Sequence, residues 1–149
     1  MTHYLLDTNV VSALRVPLRN PAVAAWVRPI PLTALHISVF TVLEIEHGVR
    51  AKERKDPTQG AVLRRWLEGS LLPSFTGRIL DFDLAAARKL ACYRVPDHAP
   101  FTDALIAATA DVAGMTVATR NIRHFLPLNV PCLNPWDSGK HPPSGLSQC

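Results

Sequence analysis

Short apolar runs alternate with helix-period segments along most of this chain, and that alternation constrains its fold more than any other feature. Strands separated by helices cannot close as hairpins. They assemble into a parallel sheet whose faces are covered by the connecting helices. His3 to Leu6 reads as a first buried strand, followed by helices from about Thr8 to Leu14 and Pro21 to Arg28. Leu35 to Val39 reads as a second strand, and a helix from Val42 to about Lys55 ends at the breaker Asp56-Pro57. Thr58 to Leu72 reads as a helix stopped by Pro73, with Trp66 and Leu67 facing inward. Arg78 to Phe82 is a third strand, and Asp83 opens the helix LAAARKLACYR. After the Pro-rich break VPDHAP, Thr102 opens the strongly apolar helix DALIAATADVA, ended by Gly114. Met115 to Ala118, Arg120 to Phe125 and Val130 to Leu133 complete the pattern as strand, short helix and strand.

A chain of 149 residues fits one domain and can bury a sizeable core. Residues 1–137 carry the periodic pattern, whereas 138–149, SGKHPPSGLSQC, has none and reads as a disordered tail. The longest apolar runs fall short of the roughly 20 residues a membrane span needs. The start, MTHYLLDTNVV, lacks the basic region of a secretion signal, and Asp7 interrupts its apolar run. Cys92, Cys132 and Cys149 are widely spaced and odd in number, which argues against a zinc site or a disulfide framework. A reduced, cytoplasmic setting is the simplest inference. The net charge of +4 suits an anionic partner but does not identify one.

Asp7, Glu44, Asp103 and Asn121 each fall where a strand gives way to a helix, or in a first helical turn. In an open parallel sheet such junctions gather at the carboxyl edge of the strands, where ligands bind. Three carboxylates gathered there repel one another, and a hard divalent cation such as Mg²⁺ would relieve that repulsion. Each residue also has a local explanation. Asp7 can cap the helix after it, and Thr41 with Glu44 matches a capping box. Asp103 can complement a helix dipole beside a capping Thr102, and Asn121 can cap the short helix that follows. Thr8, Asn9 and Thr119 are candidates to orient a carboxylate, with a solvated turn as the alternative for Thr119. His124 and His47 read as structural rather than catalytic histidines.

Four stretches, LLDTNVVSAL, TVLEIEHGVR, FTDALIAATA and VATRNIRHF, occur in an order and spacing that resemble PIN-domain ribonucleases. They are most similar to the VapC toxins of type II toxin–antitoxin pairs, in the FitB-related subgroup, and the closing LNPWD resembles the end of that subgroup. The resemblance implies an α/β fold of three layers, a small central parallel sheet flanked by helices. It implies a metal-dependent endoribonuclease whose catalytic set is Asp7, Glu44, Asp103 and Asn121, the first three holding Mg²⁺ or Mn²⁺. Hydrolysis would leave 5′-phosphate and 3′-hydroxyl ends, with transfer RNA an expected substrate. Asn121 stands where the family carries a fourth acid; this removes one negative charge and favours a single metal before substrate arrives. Arg120 and Arg123 are placed at the cleft rim to meet substrate phosphates, ahead of Arg64-Arg65 and the run from Arg50 to Lys55, which reads as a solvated face. The resemblance further implies a homodimer, a VapB-type antitoxin buried in a groove of the toxin, and operator DNA bound only through that antitoxin. Helices around Val23, Trp26 and Val62 to Leu72 are the expected apolar contact surface. A weakly catalytic regulatory module, acting with its antitoxin on DNA, is the alternative, and Asn121 is the feature that favours it. A small-molecule phosphatase is disfavoured, since no DxD pair accompanies Asp7 and no Gly-rich phosphate loop is present.

Overall fold

The computed structural model describes residues 1–93 and 100–138. The tail beyond Ser138 and the Pro-rich break, apart from Pro100, lie outside the described residues. A five-stranded sheet occupies the centre, in the order β3-β2-β1-β4-β5. The strands are β1 (Tyr4–Leu6), β2 (Leu35–Ser38), β3 (Ile79–Leu80), β4 (Thr116–Ala118) and β5 (Cys132–Leu133). Every pairing is parallel, with Leu5 opposite His36 on one side and Val117 on the other. The helices are α1 (Thr8–Arg15), α2 (Pro21–Val27), α3 (Val39–Lys55), α4 (Pro57–Trp66), α5 (Leu72–Ser74), α6 (Leu84–Leu90), α7 (Phe101–Ala113) and α8 (Ile122–Phe125). Among the described residues no helix is long and apolar enough to cross a membrane.

Strand alternation sends Leu5 and Leu6 to opposite faces, and each founds its own core. Leu6 packs with Val10, Val11, Val23, Ile37, Ile45, Val49, Leu67 and Leu71 beneath α1 to α4. Leu5 packs with Ile106, Ala107, Ala110, Val117 and Phe125 beneath α7 and α8. Helices therefore cover both faces, giving the expected three layers. The chain leaves β1 toward β2 and β3 on one side, then crosses to β4 and β5 on the other. The switch point lies between β1 and β4, where an open α/β sheet forms its binding crevice.

Several boundaries differ from the sequence expectation, each for a local reason. Helix α3 starts at Val39, because Ser38 Oγ accepts the Thr41 N–H at 3.2 Å and so caps the helix earlier. Asp56 ends α3 and also caps α4 through the Gln59 N–H at 3.2 Å, so the breaker acts as a hinge between two packed helices. Beyond Trp66 the chain continues through a π-helical segment, Leu67–Leu71, into α5. The helical run passes Pro73 by a single residue, ending at Ser74 rather than at Leu72. Helix α6 ends at Leu90, short of the expected Arg94, and α7 starts at Phe101 rather than Thr102. Val23 is fully buried in the core and is no contact surface. Cys92 and Cys132 are free thiols.

Helices α3 and α4 cross so closely that a Cβ on Gly60 would stand 2.4 Å from Glu53 Cα. Backbone cannot yield as a flexible side chain can, so Gly60→Ala should destabilise the fold by about 1–3 kcal/mol despite alanine's better helix propensity. A fall in melting temperature of several degrees by calorimetry is expected. An unchanged value would mean the crossing opens freely. Arg64 reinforces the same crossing, donating to both Glu46 carboxylate oxygens at 2.9 Å and to Glu53 at 2.8 Å.

Candidate active site

Asp7 follows the last residue of β1 and continues its pairing, with its N–H donating to Ala118 O at 2.9 Å. That bond fixes the backbone at the switch point and leaves the side chain 4% exposed. Its Oδ1 accepts the Thr8 N–H at 2.8 Å, so Asp7 does cap α1. Its Oδ2 accepts the Thr119 hydroxyl at 2.7 Å and the Asn9 side-chain amide at 3.3 Å. Thr119, just past β4, is fully buried and accepts the Asn121 N–H at 3.0 Å, so the solvated-turn alternative fails. Asn9 turns its other end to accept the Arg120 N–H at 3.1 Å. The sequence D-T-N thus bolts the end of β1 to the segment after β4.

Glu44 lies in the second turn of α3, because the helix begins at Val39. The capping-box expectation is therefore corrected: Ser38, not Thr41, is the cap. Glu44 Oε1 instead accepts the Thr8 hydroxyl at 2.9 Å, joining α3 to α1. Asp103 lies in the first turn of α7, where the N-cap residue is Pro100 and offers no side-chain cap. Thr102 does not cap that helix. Asp103 Oδ2 meets His124 Nδ1 at 2.7 Å, with the two side chains 15% and 28% exposed. The sequence reading set His124 aside. No local pattern signalled it, because its partner lies on another helix 21 positions away.

Burial is the main force on Asp7, pushing its carboxyl up to about 6. The Thr119 and Thr8 hydrogen bonds oppose the shift, while the negative charges of Asp103 and Glu44 add to it. Asp7 thus feels the charge of both other expected acids. Asn121 joins them through its backbone; its side chain is exposed and makes no cap bond to α8. Arg123 is exposed, and Arg120 lays its guanidinium over the Trp136 ring, 4.8 Å from the centroid. The LNPWD turn is thus the support on which Arg120 rests. Arg64 is consumed by Glu46 and Glu53, which removes it from the candidates for phosphate binding.

Among the described residues no three metal-ligating side chains stand as a ready-made ligand set. Each acid is instead engaged by its own partner, Asp7 by Thr8, Asn9 and Thr119, Glu44 by Thr8, and Asp103 by His124. Their chemistry nonetheless fits a hard divalent cation. The donors are all carboxylate oxygens, and buried Asp7 suffers repulsion that such a cation would cancel. Among the described residues, neither Asp7 nor Glu44 has a basic side chain within ion-pair distance. A pocket of about 420 Å³ lies elsewhere, against Lys89, Tyr93, Asp111 and Asn129. Its charges are already matched, with Asp111 taking Lys89 at 3.3 Å and the Tyr93 hydroxyl at 2.9 Å.

Comparison with known proteins agrees with this geometry. Residues 4–126 match the model of the PIN domain. The toxin FitB of Neisseria gonorrhoeae is 38% identical over 141 residues, spanning 89% of this chain and 97% of that protein. The VapC ribonuclease Y4jK of Sinorhizobium fredii is 34% identical over 138 residues, spanning 89% and 97%. The structure of FitAB bound to an IR36 DNA fragment superposes with a TM-score of 0.80 at 36% identity, covering 89% of this chain and 95% of that one. A five-stranded parallel sheet between two helical layers and a family match over residues 4–126 establish that this chain belongs to the PIN domain family.

Proposed function

We propose that this chain is an endoribonuclease toxin of the VapC and FitB kind, hydrolysing phosphodiester bonds in RNA with a divalent cation held by Asp7, Glu44 and Asp103. Mg²⁺ is the expected ion and Mn²⁺ an alternative. The observation that carries the reading is Asp7: a nearly buried carboxylate kept beside two other acids, at a cost the fold accepts. A cation bound there would activate water and stabilise negative charge on the phosphodiester.

The chain's own residues supply the rest. Thr119 and Asn9 hold Asp7 Oδ2, and Thr8 holds Glu44, so the acids are oriented before any ligand arrives. Arg120, braced on Trp136, and the exposed Arg123 flank Asn121 and are suited to meet substrate phosphates. An antitoxin partner is supported by the FitAB assembly that the fold matches. An apolar groove lined by Val11, Leu14, Trp66, Leu71 and Phe75 offers a place for an apolar partner segment.

The test uses purified protein and total cellular RNA, with transfer RNA the first substrate to map. Mg²⁺ should support cleavage to 5′-phosphate ends and EDTA should stop it. Asp103→Asn should lower the rate by at least about 100-fold, more than the usual cost of a supporting residue at a metal site. Cleavage indifferent to EDTA, or full activity in the variant, would overturn the proposal.

A further inference from the structure

We propose that His124 is the positioning residue for Asp103: it fixes one carboxylate oxygen so that the other faces the cation site. The proposal rests on the reading of Asp103 as a metal ligand. Its basis is a regularity among the three acids. Each has an oxygen held by a side chain from a different element. Asp7 is held by Thr119, Glu44 by Thr8, and Asp103 by His124. The first two holders are hydroxyls, and the third is an imidazole at 2.7 Å.

An ionised carboxylate, the form that ligates a cation, only accepts, so in that form the proton of this bond sits on Nδ1 whatever Nε2 carries. His124 therefore donates as a neutral or a charged ring, and its holding role needs no change of protonation. Among the described residues Asp103 Oδ1 has no protein partner, which leaves it free to ligate.

The placement of His124 is itself rigid. Its N–H donates to Asn121 O at 2.9 Å, and the next residue, Phe125, is fully buried against Ile106 and Ala107 of α7. The core that seats α8 on α7 thus sets the distance from His124 to Asp103. A partly exposed ion pair contributes little to stability, so stability alone does not explain a contact this short between two elements.

The experiment measures Mn²⁺ binding by electron paramagnetic resonance on the full chain, for the parent, His124→Ala, His124→Asn and Asp103→Asn. Asparagine places an amide N–H close to where Nδ1–H stands. Mn²⁺ affinity should fall about 10–100-fold in His124→Ala, as for other residues that support metal ligands, and return to within a few-fold of the parent in His124→Asn. Thermal melts confirm that each variant is folded at the binding temperature. Weak binding in Asp103→Asn with parental binding in His124→Ala would overturn the role of His124 alone. Equal loss in His124→Ala and His124→Asn would also overturn it, since a donor at that position would then not suffice. Parental binding in Asp103→Asn would overturn the reading of the site, and this proposal with it.

Discussion

Asp7→Asn should abolish cation-dependent RNA cleavage and at the same time raise the melting temperature of the cation-free protein at neutral pH. The two effects share one cause. Burial, with the charges of Asp103 and Glu44, lifts the Asp7 carboxyl from 3.8 to about 6. The folded protein thus holds this proton more tightly than the unfolded chain. Its contribution to stability is complete below pH 3.8 and is lost as pH rises through about 6. Above that, the charged carboxylate costs the fold about 3 kcal/mol at 1.36 kcal/mol per unit. Asparagine keeps the cap on Thr8 and removes the charge. At pH 7.5 the cation-free variant should melt about 6–12 °C above the parent, given roughly 2–4 °C per kcal/mol for a chain of this size. At pH 4 the gap should vanish. Adding Mg²⁺ should raise the parent's melting temperature and leave the variant's unchanged. A variant that melts below the parent at both pH values would show that the hydrogen bonds of Asp7 outweigh its charge.

Phe125→Ala should be the most damaging single truncation in the molecule. Phe125 heads the fully buried side chains by volume and packs with Leu5, Ile106 and Val117. Phenylalanine to alanine in a core costs about 3–5 kcal/mol, from lost transfer energy and the cavity left behind. That is a large share of the 5–15 kcal/mol that holds a typical domain together. Urea titration should show a midpoint far below the parent's, with Phe125→Leu in between. A loss under about 1.5 kcal/mol would mean that α8 collapses to refill the space. The damage reaches the site as well, because α8 carries His124 to Asp103.

The sequence made the sheet and Asp7 readable for a simple reason: each depends on neighbours along the chain. An apolar triplet ending in an acid, followed by a helix-period segment, announces a strand end. The start of α3 was hidden because Ser38 lies inside the apolar run Ile37 to Phe40, where periodicity marks no boundary. The local reading of Glu44 as a capping-box acid failed for that reason. His124 and Asp103 are 21 positions apart, and Arg64 meets partners 18 and 11 positions away. Such pairings arise from the packing of helices, which no local pattern encodes. Pro73 did mark the end of its helical run to within two residues, because a proline's missing N–H acts locally. The family resemblance supplied the grouping of the acids, while the hydrogen bonds that orient them came only from the fold.

The two cores on either side of the sheet give the site an unusual mechanical position. Glu44 rides on α3, whose Ile45 and Val49 belong to the Leu6 core, whereas Asp103 rides on α7, rooted in the Leu5 core. Asp7 stands on the strand between them. An ion shared by these three acids would act as a rivet through all three layers. Binding would tie together two half-structures that meet through the sheet and where α3 touches α7, so occupancy of the cleft and stiffness of the whole molecule would rise together.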